Sequence, residues 1–182
     1  MTISFILFIV NPLTGAKIRT WPANCSPYGI SVNDSCFVTL GTNAGTILQY
    51  TVNGTLIMQR SVTLGTGLID VRNPVYLSSQ QFLYTDAYSV YLLNATGRCT
   101  FIRSQSGCYD IKVSSRGYIL IADVSMNTGN IALFSPQVSY IKNLLIYPKA
   151  HFFALDEQTG HLFVTGNPYA SPANISVYKL SN

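Results

Sequence analysis

The sequence predicts an all-β fold, a β-propeller of four-stranded antiparallel blades, with about four blades and a partial blade at the ends. Three observations carry this expectation. β-type apolar runs separated by Gly and Asn turns follow one another, most plainly in FVTLGTNAGTILQYTVNGTLIM from Phe37 to Met58. Such runs recur in fours. The recurrence has a period near 40 residues with no helical stretch inside it, a pattern of propeller blades and not of the helix-bearing repeats.

Composition agrees with a packed β domain. The chain has 182 residues, 48% hydrophobic and 10% charged, enough to bury a core as one domain. Eleven Lys and Arg against seven Asp and Glu give a net charge of +4, and the basic residues are scattered singly. That sparseness excludes an electrostatic footprint for nucleic acid. No run reaches the roughly 18 apolar residues of a membrane helix, so membrane insertion is not expected.

Taken in order, the chain opens with MTISFILFIV, which lacks the basic flank and cleavage pattern of a signal peptide and is expected to be a strand. With the run from Ala16 to Trp21 it copies the last two strands, c and d, of a blade. The first complete blade has strand a at Tyr28 to Val32, b at Cys36 to Leu40, c at Thr46 to Val52 and d at Thr55 to Arg60. Its Asn53-Gly54 pair predicts a tight hairpin of type I′ between c and d. The second has Pro74 to Leu77, Phe82 to Thr85, Ser89 to Leu93 and Cys99 to Arg103. The third has Tyr109 to Val113, Tyr118 to Ala122, Asn130 to Phe134 and Tyr140 to Leu144. The fourth has His151 to Leu155, Leu162 to Thr165 and Asn174 to Leu180, without a d strand. The expected organisation is a single propeller domain or fragment, with blade ends 1–21 and blades 26–62, 70–104, 107–146 and 150–180.

Corresponding b strands begin at Phe37, Phe82, Ile119 and Leu162, spaced by 45, 37 and 43 residues. Laid over one another they read FVTL, FLYT, ILIA and LFVT, and the c strands read TILQY, SVYLL, NIALF and NISVY. A sandwich of the same strands is the alternative, but a sandwich does not require recurrence in fours. If the two ends shared one blade, the Ala16 to Trp21 strand could complete the last sheet. A ring of six blades would need about two more, roughly 80 residues. An open fan would expose apolar faces and invite self-association through its open blade edges.

The phrase Pro27-Tyr-Gly-Ile-Ser-Val, followed by Cys-Phe-Val-Thr-Leu-Gly and Thr-Ile-Leu-Gln-Tyr-Thr-Val-Asn-Gly, resembles the NHL-repeat family of six-bladed propellers. Leu83-Tyr-Thr-Asp86 and Ile119-Leu-Ile-Ala-Asp123 match that family's Asp at the end of strand b. Gly41 and Gly166 stand where that Asp would be, and the family's Gly-Asn-x-Arg turn is missing. The resemblance implies a propeller presenting its loops and channel mouth.

Cys25, Cys36, Cys99 and Cys108 have no zinc spacing. Cys25 with Cys36, and Cys99 with Cys108, are disulfide candidates across short connections, with free buried thiols as the alternative. Sequons at Asn24, Asn33, Asn53, Asn94 and Asn174 are glycosylation candidates. Together they point to an extracellular or lumenal protein.

No catalytic constellation emerges. His151 and His161 open strands a and b of one blade without a spaced cluster, and no Ser sits in Gly-x-Ser-x-Gly. Asp70, Asp110 and Asp156 flank a strands, where mouth carboxylates could bind a metal or act as a base, as in lactonases and amidating lyases of similar architecture. Neither ligand set is traceable, so no metal and no cofactor are expected. Asp86 and Asp123 fit turn-capping roles. The chain is therefore expected not to be an enzyme but a binding scaffold for a protein or glycan partner, with Tyr28, Tyr76, Tyr109 and His151 as channel-mouth candidates. A propeller hydrolase or lyase with an acidic metal site, or a truncated propeller without its own activity, is the alternative.

Overall fold

The computed structural model describes residues 5–180 apart from 24, 34–36, 65–66, 69, 78–79, 87, 105–107, 125–128, 148–149 and 167–173. The strands are β1 Phe5–Val10, β2 Lys17–Ala23, β3 Pro27–Val32, β4 Phe37–Thr42, β5 Thr46–Thr51 and β6 Leu56–Ser61, then the short pair β7 Thr63–Leu64 and β8 Gly67–Leu68. They continue as β9 Arg72–Tyr76, β10 Phe82–Thr85, β11 Ser89–Leu93, β12 Cys99–Ser104, β13 Cys108–Val113, β14 Ile119–Val124, β15 Gly129–Phe134 and β16 Tyr140–Tyr147. The last sheet holds β17 Phe152–Asp156, β18 His161–Thr165 and β19 Ile175–Lys179. Among the described residues there is no helix.

Four antiparallel sheets set in a ring form the propeller blades. β3 to β6, β9 to β12 and β13 to β16 are four-stranded, β17 to β19 is three-stranded, and β1 with β2 makes a partial sheet ahead of them. Each sheet runs in simple sequence order, as hairpin connections dictate. The inner strands β3, β9, β13 and β17 contact one another in succession.

A blade has two faces, and period-2 alternation sends successive side chains to opposite neighbours. Four apolar clusters result, one at each junction between consecutive sheets. Trp21 and Ala23 of β2 pack on Val38, Leu40, Leu48 and Tyr50, and Ile47 packs on Phe82, Tyr84 and Leu93. Leu83 and Val90 meet Ile111, Ile119, Ile121 and Phe134, while Leu120, Ala122 and Ile131 meet Phe153, Leu162 and Val164. Stability therefore resides between blades.

Gly41 shows how close these junctions are. A Cβ there would lie 2.3 Å from the Val71 carbonyl oxygen, and one at Gly29 would lie 2.4 Å from the Asn73 amide. The absence of a side chain lets the backbone before and within β9 lie on the β3 to β6 blade.

The hairpins share one local device. The Gly54 amide donates to the Thr51 carbonyl and the Thr51 amide donates to the Thr55 carbonyl, with only the glycine at positive φ, +85°. The expected type I′ turn at Asn53-Gly54 is thus replaced by a turn with a left-handed closing residue, a G1 bulge, which needs one positive φ instead of two. Gly97 and Gly117 close their hairpins in the same way on Asn94 and Ser114. The first residue's side-chain oxygen adds a bond: Thr51 Oγ1, Asn94 Oδ1 and Ser114 Oγ accept the amides of Thr55, Arg98 and Tyr118 at 3.2, 2.9 and 3.0 Å.

Two further expectations change. The segment around Gly67, read from sequence as a flexible connection, carries the β7 and β8 pairing of Thr63 with Leu68 and Leu64 with Gly67. β2 pairs with β1 and packs on the next blade; it is not the fourth strand of the last sheet.

Candidate functional site

The inner strands β3, β9 and β13 enclose a cavity of about 360 Å³. Its walls are Ile30, Val32, Pro74, Val75, Ile111 and Val113, and its polar groups are Ser31, Asn73, Asp110 and Lys112. A mostly apolar hollow with a few convergent polar groups is the usual make-up of a ligand pocket. The packing of Gly29 against Asn73 and Pro74 and the bond from Ser31 Oγ to the Pro74 carbonyl hold two of its walls together.

Asp110 and Lys112 share one face of β13 because they are two residues apart on a strand. The Lys112 ammonium lies 3.2 Å from one Asp110 carboxylate oxygen, and the other oxygen accepts the Phe153 amide at 3.2 Å. Burial pushes the Asp110 carboxyl above its ordinary range, and Lys112 and the Phe153 amide pull in the other direction without cancelling it. Lys112 keeps about half of its side chain exposed, so one charge of the pair is available to a ligand.

The channel-mouth candidates are not equivalent. Tyr28 is exposed and lies under the Arg72 guanidinium, 5.2 Å from the ring centre. Tyr76 is half-buried and packs edge-on against Phe82 at 5.4 Å. His151 is buried, its ring beside Phe152, so it does not stand open at the mouth. Tyr109 lies within β13, and its side chain falls outside the described residues.

The other carboxylates take structural roles. Asp86 accepts the amides of Tyr88 and Ser89 at 2.6 and 2.7 Å, as its place at the end of a b strand suggests. Asp156 caps its turn through Gln158 and Thr159, and the Thr159 hydroxyl and amide hold its carboxyl below the usual range. Asp70 pairs with Arg72 at 3.5 Å. His161 Nδ1 meets the Thr159 hydroxyl at 2.7 Å. Among the described residues no three His, Cys, Asp or Glu side chains converge to hold a metal ion.

The disulfide expectation is corrected. Cys25 and Cys99 are free thiols, so neither bridges to its expected partner, Cys36 or Cys108. Cys99 instead accepts the Tyr84 hydroxyl at 3.5 Å, and burial raises the Cys25 thiol, which lines a hollow of about 270 Å³. Asn33 and Asn94 use their side chains in turns, Asn53 and Asn174 are exposed, and Asn24 lies outside the described residues.

Sequence reasoning missed Lys112, Ser31 and Asn73 as partners of Asp110. The Asp-Ile-Lys alternation in β13 was the available signal, while the approach of β3 and β9 is a tertiary fact.

No protein-family model matches the chain, and no curated protein matches it in sequence. Solved structures do match it in fold. One is a gluconolactonase from Xanthomonas campestris, with 11% identity and a TM-score of 0.65 over 87% of this chain and 60% of that one. Another is a streptogramin B lyase, with 17% identity and a TM-score of 0.55 over 85% of this chain and 55% of that one. A chain of the nidogen/laminin complex matches with 9% identity and a TM-score of 0.73, over 96% of this chain and 70% of that one. The chain thus spans between about half and two thirds of the length of the two enzymes. At such identities the likeness shows the β-propeller fold alone. It also corrects the expectation that the chain is not an enzyme, because this fold carries lactonase and lyase activity in those proteins and does not decide between catalysis and binding.

Proposed function

We propose that the protein is a propeller binding module whose axial hollow takes a polar group of a protein or glycan partner. The observation that supports this reading is the hollow between β3, β9 and β13, apolar in its walls and charged only at Asp110 and Lys112. Its volume of about 360 Å³ suits one sugar unit or one or two side chains. Lys112 would hold an acidic or carbonyl group while Asp110, anchored on Phe153, accepts a hydroxyl or amine. The protein partnership in the nidogen/laminin structure is a precedent on the same fold. An NHL-type repeat belongs to this reading on the strength of Asp86 and Asp123 at the ends of b strands. An extracellular or lumenal setting rests on the exposed sequons at Asn53 and Asn174.

The test is a glycan and peptide array probed with the wild type, followed by calorimetric titration of the best binder. Lys112→Ala is expected to weaken that binder about tenfold, the scale of a charged hydrogen bond. Unchanged affinity in Lys112→Ala would sink the proposal.

Catalysis is the second reading, favoured by a buried carboxyl with a raised pKa in a hollow, the setting of a general acid. Gluconolactone hydrolysis by the wild type, lost in Asp110→Asn, would support it. Equal background rates for both proteins would remove it.

A further inference from the structure

The last blade differs from the three before it at one edge. β6, β12 and β16 lie as fourth strands on β5, β11 and β15, whereas β19 is an edge strand among the described residues. Beside it, between β16 and β19, runs a groove of about 810 Å³. Leu120, Leu133, Leu144, Leu155 and Leu180 contribute apolar surface to it. Arg116, Lys142 and Lys179 bring positive charge. The one carboxylate in the lining, Glu157, is engaged by the Ser115 amide and hydroxyl at 2.7 and 2.6 Å.

The backbone of β19 is oriented to extend the sheet. The Leu180 amide donates to the Gly160 carbonyl at 2.8 Å, in register with the pairing of Lys179 with His161 and Tyr178 with Leu162. Antiparallel alternation then turns the amides and carbonyls of Ile175, Val177 and Lys179 away from β18, toward the open edge. An open edge next to an apolar groove is the arrangement that accepts an added strand.

We propose that this edge receives an extended strand of alternating apolar and acidic residues from another polypeptide, which becomes the fourth strand of the last blade. Apolar side chains would enter the leucine-lined groove and acidic ones would meet Arg116 and Lys142. Charge selects this occupant over a second copy of the chain. The one strand outside a four-stranded blade at the other end, β2, carries Lys17 and Arg19 and is already paired with β1.

The experiment is fluorescence anisotropy of the 182-residue protein with a labelled peptide of about eight residues alternating Val and Glu, the length of β16. Saturable binding that weakens with salt is expected, with a Lys-for-Glu peptide binding at least about tenfold more weakly. Val177→Pro should reduce affinity at least about tenfold while leaving the circular dichroism unchanged, because the lost N–H faces the open edge, where proline is tolerated. Lys142→Glu should reverse the preference between the two peptides, and it serves alone if the proline variant does not fold. No binding by either peptide, equal binding of both, or full affinity in Val177→Pro overturns the proposal. So does a dimer in light scattering that Val177→Pro dissolves, which would give the edge to a second copy.

Discussion

Ile131 and Ile175 occupy the same position in strand c of successive blades, within the matching runs Asn130-Ile-Ala-Leu-Phe and Asn174-Ile-Ser-Val-Tyr. Ile131 is 0% exposed and Ile175 is 67% exposed. Strand a repeats the contrast at the other end: Ile111 is 1% exposed, while Ile30, in the equivalent place ahead of a closing valine, is 58% exposed. Strand, residue type and facing direction match in both comparisons. What differs is whether a neighbouring sheet stands opposite. Beyond Ile131 lie Phe153 and Val164, whereas Ile30 looks toward a sheet that has only β1 and β2. In this fold, burial is a property of the junction and not of the strand.

The contrast breaks most sharply under truncation. Ile131→Ala is expected to cost about 2–5 kcal/mol in urea unfolding, the range for a large buried aliphatic side chain. Ile175→Ala should stay within about 0.5 kcal/mol, as exposed substitutions do. Comparable losses would mean that the face carrying Ile175 is covered in solution. A smaller effect sharpens the same point with glycine. Gly41→Ala drives a methyl into the Val71 carbonyl and should cost about 1–3 kcal/mol. Gly97→Ala meets open space but sits at φ +84°, so about 1 kcal/mol of backbone strain is expected in thermal unfolding.

The smallest effect compares a carboxylate inside a junction with one at an open turn. The folded Asp110 has a raised pKa, so its favourable contribution is full below the unfolded value near 3.9 and fades as pH rises through the folded value. The folded Asp156 has a lowered pKa, and its contribution is present above the unfolded value and fades as pH falls through the folded one. From about pH 4 to pH 7, Asp110→Asn should therefore gain thermal stability relative to the wild type. Over the range below about pH 4, the deficit of Asp156→Asn should shrink with acidification. Parallel melting curves for all three proteins across that range would contradict both assignments.

Strands and their grouping were legible because period-2 alternation and turn residues are local signals, and the b and c runs repeat them. The exposed fates of Ile30 and Ile175 were not legible, since their runs read like those of Ile111 and Ile131. Turn geometry was half legible. Asn53-Gly54 announced a hairpin, but the oxygen-bearing Thr51 three residues ahead of the glycine decides its form, and Asn94 to Gly97 and Ser114 to Gly117 repeat that spacing. Asp110 drew notice as a carboxylate beside an inner strand. Its partners Ser31 and Asn73 come from β3 and β9, brought there by the bare backbone at Gly29, a contact that a linear pattern does not encode.

The clusters that join each sheet to the next have a consequence for how the molecule opens. When cohesion lies in couplings between successive units, unfolding starts where a unit has one coupling instead of two. Amide exchange is then expected to be fastest in β1 with β2 and in β17 to β19, each sheet held on one face. It should be slowest in β10 and β14, the second strands of blades clasped on both sides. The protein would loosen from its ends inward as a cooperative chain, and a partner bound at β19 would slow exchange first in the last blade.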